Sequence, residues 1–223
     1  MRLQLQLTPN TEPVPYDHLH RLTGALHKWL GPNNEQHDGL SLYSFGWLRG
    51  GQSRGGALCF PKGAQWNISF FDDAVAQQLI QGALKEPSIA FGMRVMGLQE
   101  MPTPAFGEMY HFRTDGSAIL ARKTRPDGTR AYLLWKDPET DQVLTHIMRQ
   151  KLSKAGLTDN HMDIQVCFDR TYIDARTKLA TIKNIQHKGS ECPVIVSGTP
   201  EAVQFAWLVG IGDLTGSGFG GVR

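Results

Sequence analysis

The sequence predicts an α+β protein with two tandem antiparallel sheets, each of four strands with helices on one face. The first observation is the order of elements in the first half, where the side-chain pattern reads β, α, β, β, α, β. The second is a proline-containing segment at 102–104, after which strand and helix patterns begin again in a looser version of the same order. This order is typical of the ferredoxin-like, RRM-like fold. It predicts two domains, at 1–103 and 104–223.

The first half begins with a strand over 2–8, in which Leu3, Leu5 and Leu7 alternate with glutamines. Leucines spaced three and four residues apart then predict an amphipathic helix over 16–30, which turn-forming residues end. The later elements are predicted as strands at 40–48, 57–60 and 66–71, a helix at 72–84 and a strand at 95–101.

The second half contains most of the concentrated positive charge. Arg122, Lys123, Arg125 and Arg130 crowd a predicted hairpin that Pro126-Asp127-Gly128 closes, and a second basic stretch at 170–188 has few neighbouring acids. The elements of this half are predicted as strands at 118–123 and 131–135, a helix at 141–155, strands at 163–168, 178–186 and 193–197, a helix at 200–210 and a strand at 218–223.

Composition excludes several classes of protein. A hydrophobic fraction of 40% and a charged fraction of 20% are ordinary for a globular chain, and no apolar run approaches the length of a membrane helix. The N-terminus has a strand pattern instead of a signal peptide, so we expect a cytoplasmic protein with no membrane contact. Three widely spaced cysteines do not form a zinc knuckle, and His18, His20 and His37 do not share a helix face. We expect no metal and no cofactor.

The C-terminal residues 210–221 read GIGDLTGSGFGG and are unusually rich in glycine. Such a segment allows close approach of the backbone to an anion. A dinucleotide-binding or P-loop site does not fit, because the chain ends where the following helix should begin. A flexible terminus is an alternative, but Ile211, Leu214, Phe219 and Val222 are spaced as packing anchors and favour an ordered loop.

This loop resembles the C-terminal signature of the CRISPR repeat-processing endoribonucleases, the Cas-six family. The resemblance extends to Val14-Pro15-Tyr16 at the start of the first helix and to His37-Asp38-Gly39 before the strand Leu42-Tyr43-Ser44-Phe45. It also includes Gly116-Ser117-Ala118-Ile119 before the basic strand, so that it spans nearly the whole chain. It implies two ferredoxin-like domains and metal-independent cutting of repeat RNA. In that reaction the ribose 2'-hydroxyl attacks the neighbouring phosphate and leaves 2',3'-cyclic phosphate and 5'-hydroxyl ends.

The resemblance also implies the catalytic residues. His37 matches the family's loop histidine, and His27 lies where the family often has a tyrosine, so the two imidazoles are predicted as acid and base. Ser41 occupies the place of a lysine that many members use to stabilise negative charge, and Arg49, Arg54 or a cation of the second half could substitute for it. Without the resemblance, His37 could be an exposed loop histidine and His27 a helix-surface residue.

RNA binding is predicted for the basic hairpin and the glycine-rich loop. The predicted contacts are Arg122, Lys123, Arg125, Arg130, Gly212, Gly216, Ser217, Gly218, Phe219 and Gly220. The hairpin could instead be a solvated surface, and Phe219 could either stack on a base or pack beneath the loop. The expected partners are precursor and mature guide RNA and other subunits of a CRISPR effector complex, with the protein as a monomer or homodimer. A non-catalytic guide-RNA-binding subunit and an unrelated small-molecule enzyme are the alternative functions.

Overall fold

The structure is a computed structural model that describes residues 1–31 and 40–223. Its first half contains β1 (Arg2–Leu7), α1 (Leu19–Leu30), β2 (Tyr43–Phe45), β3 (Gln52–Arg54), β4 (Ala57–Cys59), β5 (Ala64–Phe70), α2 (Asp73–Lys85) and β6 (Val95–Glu100). Its second half contains β7 (Met109–Phe112), β8 (Ala121–Thr124), β9 (Arg130–Leu133), α3 (Thr140–Lys154), β10 (Gln165–Phe168), β11 (Arg176–Ile182), β12 (Ile185–Glu191), β13 (Val194–Ser197) and α4 (Pro200–Val209). Short 3-10 turns lie at Asp159–Asp163 and Thr215–Ser217.

A four-stranded antiparallel sheet forms the first half, with the strand order β2-β5-β1-β6. The leucines of β1 are fully buried while the intervening Gln4 and Gln6 are half-buried, as the alternation predicts. Helix α1 buries Leu19, Leu22 and Leu26, and α2 begins where Asp72 accepts a hydrogen bond from the Ala74 amide. Along the chain, the short hairpin of β3 and β4 is inserted between β2 and β5.

The second half has the same plan with a smaller sheet. Strands β10, β13 and β7 are neighbours in that order, and Arg223 exchanges two backbone hydrogen bonds with Arg113 beside β7. The predicted C-terminal strand at 218–223 is therefore reduced to its last residues. The predicted strand at 178–186 is wrong in form, because Lys183 and Asn184 adopt positive φ values of 48° and 67° and divide it into the β11–β12 hairpin. Strand β7 was not predicted.

The two halves share buried surface. The core of the first half includes Ala118, Leu120, Ala180 and Phe219, all from the second half of the chain. Arg2 on β1 donates to the Val222 carbonyl and to Asp115, which also accepts a hydrogen bond from Asn67. Among the described residues, no helix has both the length and the apolar content needed to cross a bilayer.

Candidate functional site

A cleft of about 670 Å³ lies between the first helix, the start of β2 and four segments of the second half, which are the β8–β9 hairpin, α3, the β11–β12 hairpin and the C-terminal loop. Helix α1 contributes one wall of the cleft, and the C-terminal loop contributes another. The residues that line the cleft are His20, Thr23, Gly24, His27, Leu40, Ser41, Tyr43, Arg122, Arg130, Lys151, Ile182, Lys183 and residues 212–217. The cleft therefore brings together predicted residues that are up to 190 positions apart.

Helix α1 presents His20, Thr23, Gly24 and His27 to the cleft because residues three, four and seven positions apart share one face of a helix. His27 is half-buried. The Nδ1 atom of His20 lies 3.1 Å from the Asp17 carbonyl oxygen. Since a carbonyl oxygen can only accept, Nδ1 is the donor in this contact.

The predicted catalytic residue His37 lies outside the described residues. The segments on both sides of it are described: α1 ends at Leu30, and Leu40 lines the cleft. The Lys154 Nζ donates to the Leu40 carbonyl at 2.7 Å, which ties this end of the segment to α3. The role of His37 stays a prediction.

Ser41 lines the cleft and is half-buried, next to the fully buried Tyr43. Burial raises the pKa of Tyr43 to about 12, and a hydrogen bond with Ser41 acts in the opposite direction. The Tyr43 hydroxyl donates to the Gly216 carbonyl at 3.2 Å. Tyr43 therefore holds the loop as a neutral donor, while Ser41 is the hydroxyl on this wall that a ligand can reach.

The C-terminal loop is ordered, as the interspersed apolar residues predict. The Ile211 amide donates to the Gly220 carbonyl, the Gly220 amide to Ala118 and the Asp213 amide to Leu120. Gly220 has a φ of 63°, and a Cβ atom there would lie 2.0 Å from the Ile211 oxygen. Only glycine fits this position.

The loop contributes only part of its length to the cleft. Gly212, Gly216 and Ser217 line it, whereas Gly218, Phe219 and Gly220 are buried and do not. Phe219 is 0% exposed and its ring centroid lies 5.6 Å from that of His187. The predicted base contact by Phe219 is therefore wrong in this structure, because no face of its ring is accessible. Phe219 instead packs beneath the loop, as the alternative prediction has it.

The structure separates the four predicted cations of the β8–β9 hairpin. Arg122 lines the cleft and pairs with Asp213 of the loop at 3.0 Å, whereas Lys123 pairs with Glu139 at 2.6 Å on the exposed surface. Arg125 lies beside the turn, which forms as predicted, and does not line the cleft. Arg130 is exposed and lines the cleft.

Two further cations of the cleft are not among the predicted RNA contacts. Lys183, at the tip of the β11–β12 hairpin, is exposed and lines the cleft. Lys151 on α3 also lines it but is 1% exposed, and burial lowers its pKa to about 7, opposed by the carboxylate of Asp213. The sequence carries a signal for Lys151, since it shares the helix face of the buried Leu144 and Met148.

Other cations considered from the sequence lie elsewhere. Arg49 and Arg54 do not line the cleft, and Arg49 lies 3.5 Å from Asp115. Within the second basic stretch, Arg176 and Lys178 both pair with Glu191. Two of its cations therefore lie close to an acid in the folded chain, although few acids are near them in the sequence.

Histidine, cysteine, aspartate and glutamate side chains, the usual ligands of metal ions, are scattered over the part of the chain that the structure describes. No group of three His, Cys, Asp or Glu side chains is arranged there to hold a metal ion. His18 is buried with its Nδ1 atom 2.8 Å from the Pro15 carbonyl, and burial lowers its pKa. It packs edge-on against Trp47, in the core rather than in the cleft.

Comparison with known proteins identifies the family. The family CRISPR associated protein Cas6, C-terminal, matches residues 100–223. A comparison with curated proteins gave no match. The fold is similar to that of the product of a Cas6-related gene from Pyrococcus furiosus, with a TM-score of 0.88 at 17% identity over 100% of this chain and 97% of the other.

Two other solved structures have the same fold. A RAMP protein that binds different RNA substrates has a TM-score of 0.85 at 18% identity, over 100% of this chain and 98% of the other. A Cas6 product complex has a TM-score of 0.70 at 15% identity, over 99% of this chain and 98% of the other. The structural matches establish the tandem ferredoxin-like fold. Because the family match covers more than half of the sequence, the chain belongs to the Cas6 family of CRISPR repeat-processing proteins.

Proposed function

We propose that this protein is a metal-independent endoribonuclease that cuts CRISPR repeat RNA in the cleft between α1 and the C-terminal loop. One observation carries the proposal: His27 and Ser41 line the same cleft as the exposed cations Arg130 and Lys183. The cleft volume of about 670 Å³ lies within the range of roughly 300 to 1,000 Å³ that is typical of ligand sites.

The chemistry requires few groups from the protein. The nucleophile, the ribose 2'-hydroxyl, is already held next to phosphorus, so the protein needs only to align the strand and move protons. His37 and His27 serve as the acid and base: one imidazole takes the proton of the 2'-hydroxyl and the other protonates the departing 5'-oxygen. The bond from phosphorus to the 5'-oxygen breaks, leaving a 2',3'-cyclic phosphate and a 5'-hydroxyl.

The negative charge that develops on phosphate is met from several sides of the cleft. Ser41 supplies a hydroxyl donor in place of the lysine found in many family members. Arg130 and Lys183 have no carboxylate partner among the described residues and lie on separate hairpins. Arg122 is oriented by its ion pair with Asp213. Cations in these positions support contacts with successive phosphates of one strand.

We further propose that residues 1–103 and 104–223 act as two domains that bind the RNA between them and keep the product bound. The known RNA binding of a RAMP protein with this fold supports RNA as the ligand. The retained product would be the guide RNA delivered to other effector-complex subunits.

The experiment is an incubation of a repeat transcript with the protein in EDTA. We expect wild type to cut and to leave a cyclic phosphate end, and His37→Ala and His27→Ala each to cut about a hundredfold or more slowly. His146→Ala is the matched control, because His146 is exposed on α3 and does not line the cleft. Wild-type cutting by both His27→Ala and His37→Ala would refute the site assignment. A requirement for added metal would refute the mechanism.

A non-catalytic guide-RNA-binding subunit is the second candidate, and Ser41 in the place of a lysine favours it. This function predicts tight, salt-sensitive RNA binding with no cleaved product in the same incubation. Detection of a 2',3'-cyclic phosphate end would rule it out.

A further inference from the structure

Lys151 is a buried cation that the proposed chemistry does not use. It lies in the last two turns of α3 and is 1% exposed. Its Nζ donates to the carbonyl oxygens of Val209 and Gly210, at 3.2 and 3.1 Å, and to the Thr215 Oγ1 at 3.1 Å. A buried ammonium group is costly unless it is fully hydrogen-bonded, and here it is.

The three hydrogen bonds leave Lys151 without a donor for RNA. A protonated lysine has three N–H groups and no acceptor, and each N–H already has a partner. Lys151 can therefore contact a phosphate only by giving up one of these bonds. Although it lines the cleft, its geometry is that of a group that holds protein atoms in place.

The acceptors of Lys151 belong to the C-terminal end of α4 and to the loop that follows. Val209 ends α4, where carbonyl groups lack partners within the helix and the helix dipole favours a positive charge. Thr215 in turn donates from Oγ1 to the Tyr43 carbonyl at 3.0 Å. A continuous chain of hydrogen bonds thus runs from α3 through the loop to β2, two residues from Ser41.

We propose that Lys151 is a positioning residue, which holds residues 209–215 against β2 and thereby sets the shape of the cleft wall that faces RNA. This role rests on the proposed function of the cleft. Lys154, one turn later on α3, donates to the Leu40 carbonyl on the other side of Ser41. Helix α3 thus anchors both segments around Ser41 with lysines, one buried and one exposed.

The test separates binding from cutting. A repeat RNA with a 2'-deoxy nucleotide at the cleavage position reports binding, and the unmodified RNA under single-turnover conditions reports cutting. For Lys151→Met we expect the dissociation constant to change less than about threefold, because Arg130 and Lys183 remain. We expect the cutting rate to fall about a hundredfold, since a misplacement of about 1 Å can have that effect. Lys85→Met is the control, because Lys85 is exposed on α2 outside the cleft.

A second variant and a second readout cover the case in which Lys151→Met does not fold. Thr215→Val keeps the shape of the side chain, removes the link to Tyr43 and leaves two hydrogen bonds of Lys151 in place. We expect Thr215→Val, like Lys151→Met, to bind RNA nearly as wild type does and to cut it more slowly. Hydrogen exchange of the amides in residues 211–217 is expected to be faster in both variants than in wild type, with Lys85→Met unchanged.

The outcomes distinguish this role from the proposed function. If wild type cuts repeat RNA, a folded Lys151→Met that cuts at the wild-type rate overturns the role, and so does a loss of binding equal to the loss of cutting. If wild type cuts no RNA, the proposed function fails, and hydrogen exchange in residues 211–217 alone tests the positioning role of Lys151. Faster exchange in the loop then supports the positioning role, and unchanged exchange overturns it.

Discussion

Replacing Lys151 by methionine should change how the stability of the protein depends on pH. In the folded protein its pKa is about 7, against an ordinary value of 10.5, and burial is the main cause. Below pH 7 both the folded and the unfolded state carry the proton, and the full cost of burying the charge is present. Between pH 7 and 10.5 only the unfolded state keeps it, and the neutral amine of the folded state still donates two of its three hydrogen bonds. The free energy of unfolding should therefore rise with pH across this window and level off above it.

The difference of 3.5 pKa units corresponds to about 5 kcal/mol at about 1.36 kcal/mol per unit. That is a large share of the roughly 5 to 15 kcal/mol by which proteins are stable. Urea unfolding, followed by the fluorescence of the five tryptophans, should be measured from pH 6.5 to 10 for wild type, Lys151→Met and the control Lys85→Met. We expect the free energy of unfolding of wild type and of Lys85→Met to rise with pH. In Lys151→Met we expect this rise to be smaller. Identical pH dependence in all three would show that Lys151 does not titrate in this window and would refute the reasoning.

Three further predictions concern other contacts. Asp115→Ala leaves Arg2 as a buried unpaired charge and should lower the free energy of unfolding by about 3 to 5 kcal/mol, measured by urea denaturation; an effect below about 1 kcal/mol would contradict the buried pair. Gly220→Ala should lower the melting temperature by several degrees, measured by calorimetry, because its Cβ meets a backbone oxygen; an unchanged melting temperature would mean that the loop is looser than described. Arg130→Gln should reduce the salt slope of RNA binding by about one, whereas Arg125→Gln, outside the cleft, should not; equal effects would argue against RNA contact through the cleft.

The elements that the sequence predicts well are those in which one local pattern decides the structure. The leucines of β1 face the core because a strand alternates its side chains between two faces, and no distant contact is needed to see this. The β8–β9 turn follows from Pro126-Asp127-Gly128, where Gly128 takes the positive φ of 80°. Both elements are confirmed.

The elements that were missed depend on contacts between distant segments. Strand β7 has four residues and is held in its sheet by pairing with β13, more than 80 positions later. The β11–β12 turn contains no glycine, and a lysine with positive φ gives no signal in a sequence. Lys151 shares a helix face with buried apolar residues, but this signal is easily overlooked because a lysine in a helix usually indicates an exposed face. Its burial depends on carbonyl groups near residue 210.

The glycines of the C-terminal loop have a packing role that their spacing in the sequence does not indicate. Trp47 donates from Nε1 to the Gly218 carbonyl at 2.8 Å, and Tyr43 donates to the Gly216 carbonyl, so side chains of the first half bond directly to the loop. A Cβ atom at Gly216 would lie 2.4 Å from the Ser41 Oγ. The glycines therefore allow the two halves to approach each other, and only residues 212–217 of the loop line the cleft.

This packing has a functional consequence. The wall of the cleft that would contact RNA is the same backbone that joins the two halves, so the contacts that stabilise the junction also fix the cleft. A substitution at Trp47, which does not line the cleft, is then expected to slow cutting through the loop. Trp47→Phe, which removes the donor but keeps an aromatic ring, tests this in the same assay. If this variant cuts RNA at the wild-type rate and hydrogen exchange in the loop is unchanged, the contacts at the junction do not determine the shape of the cleft.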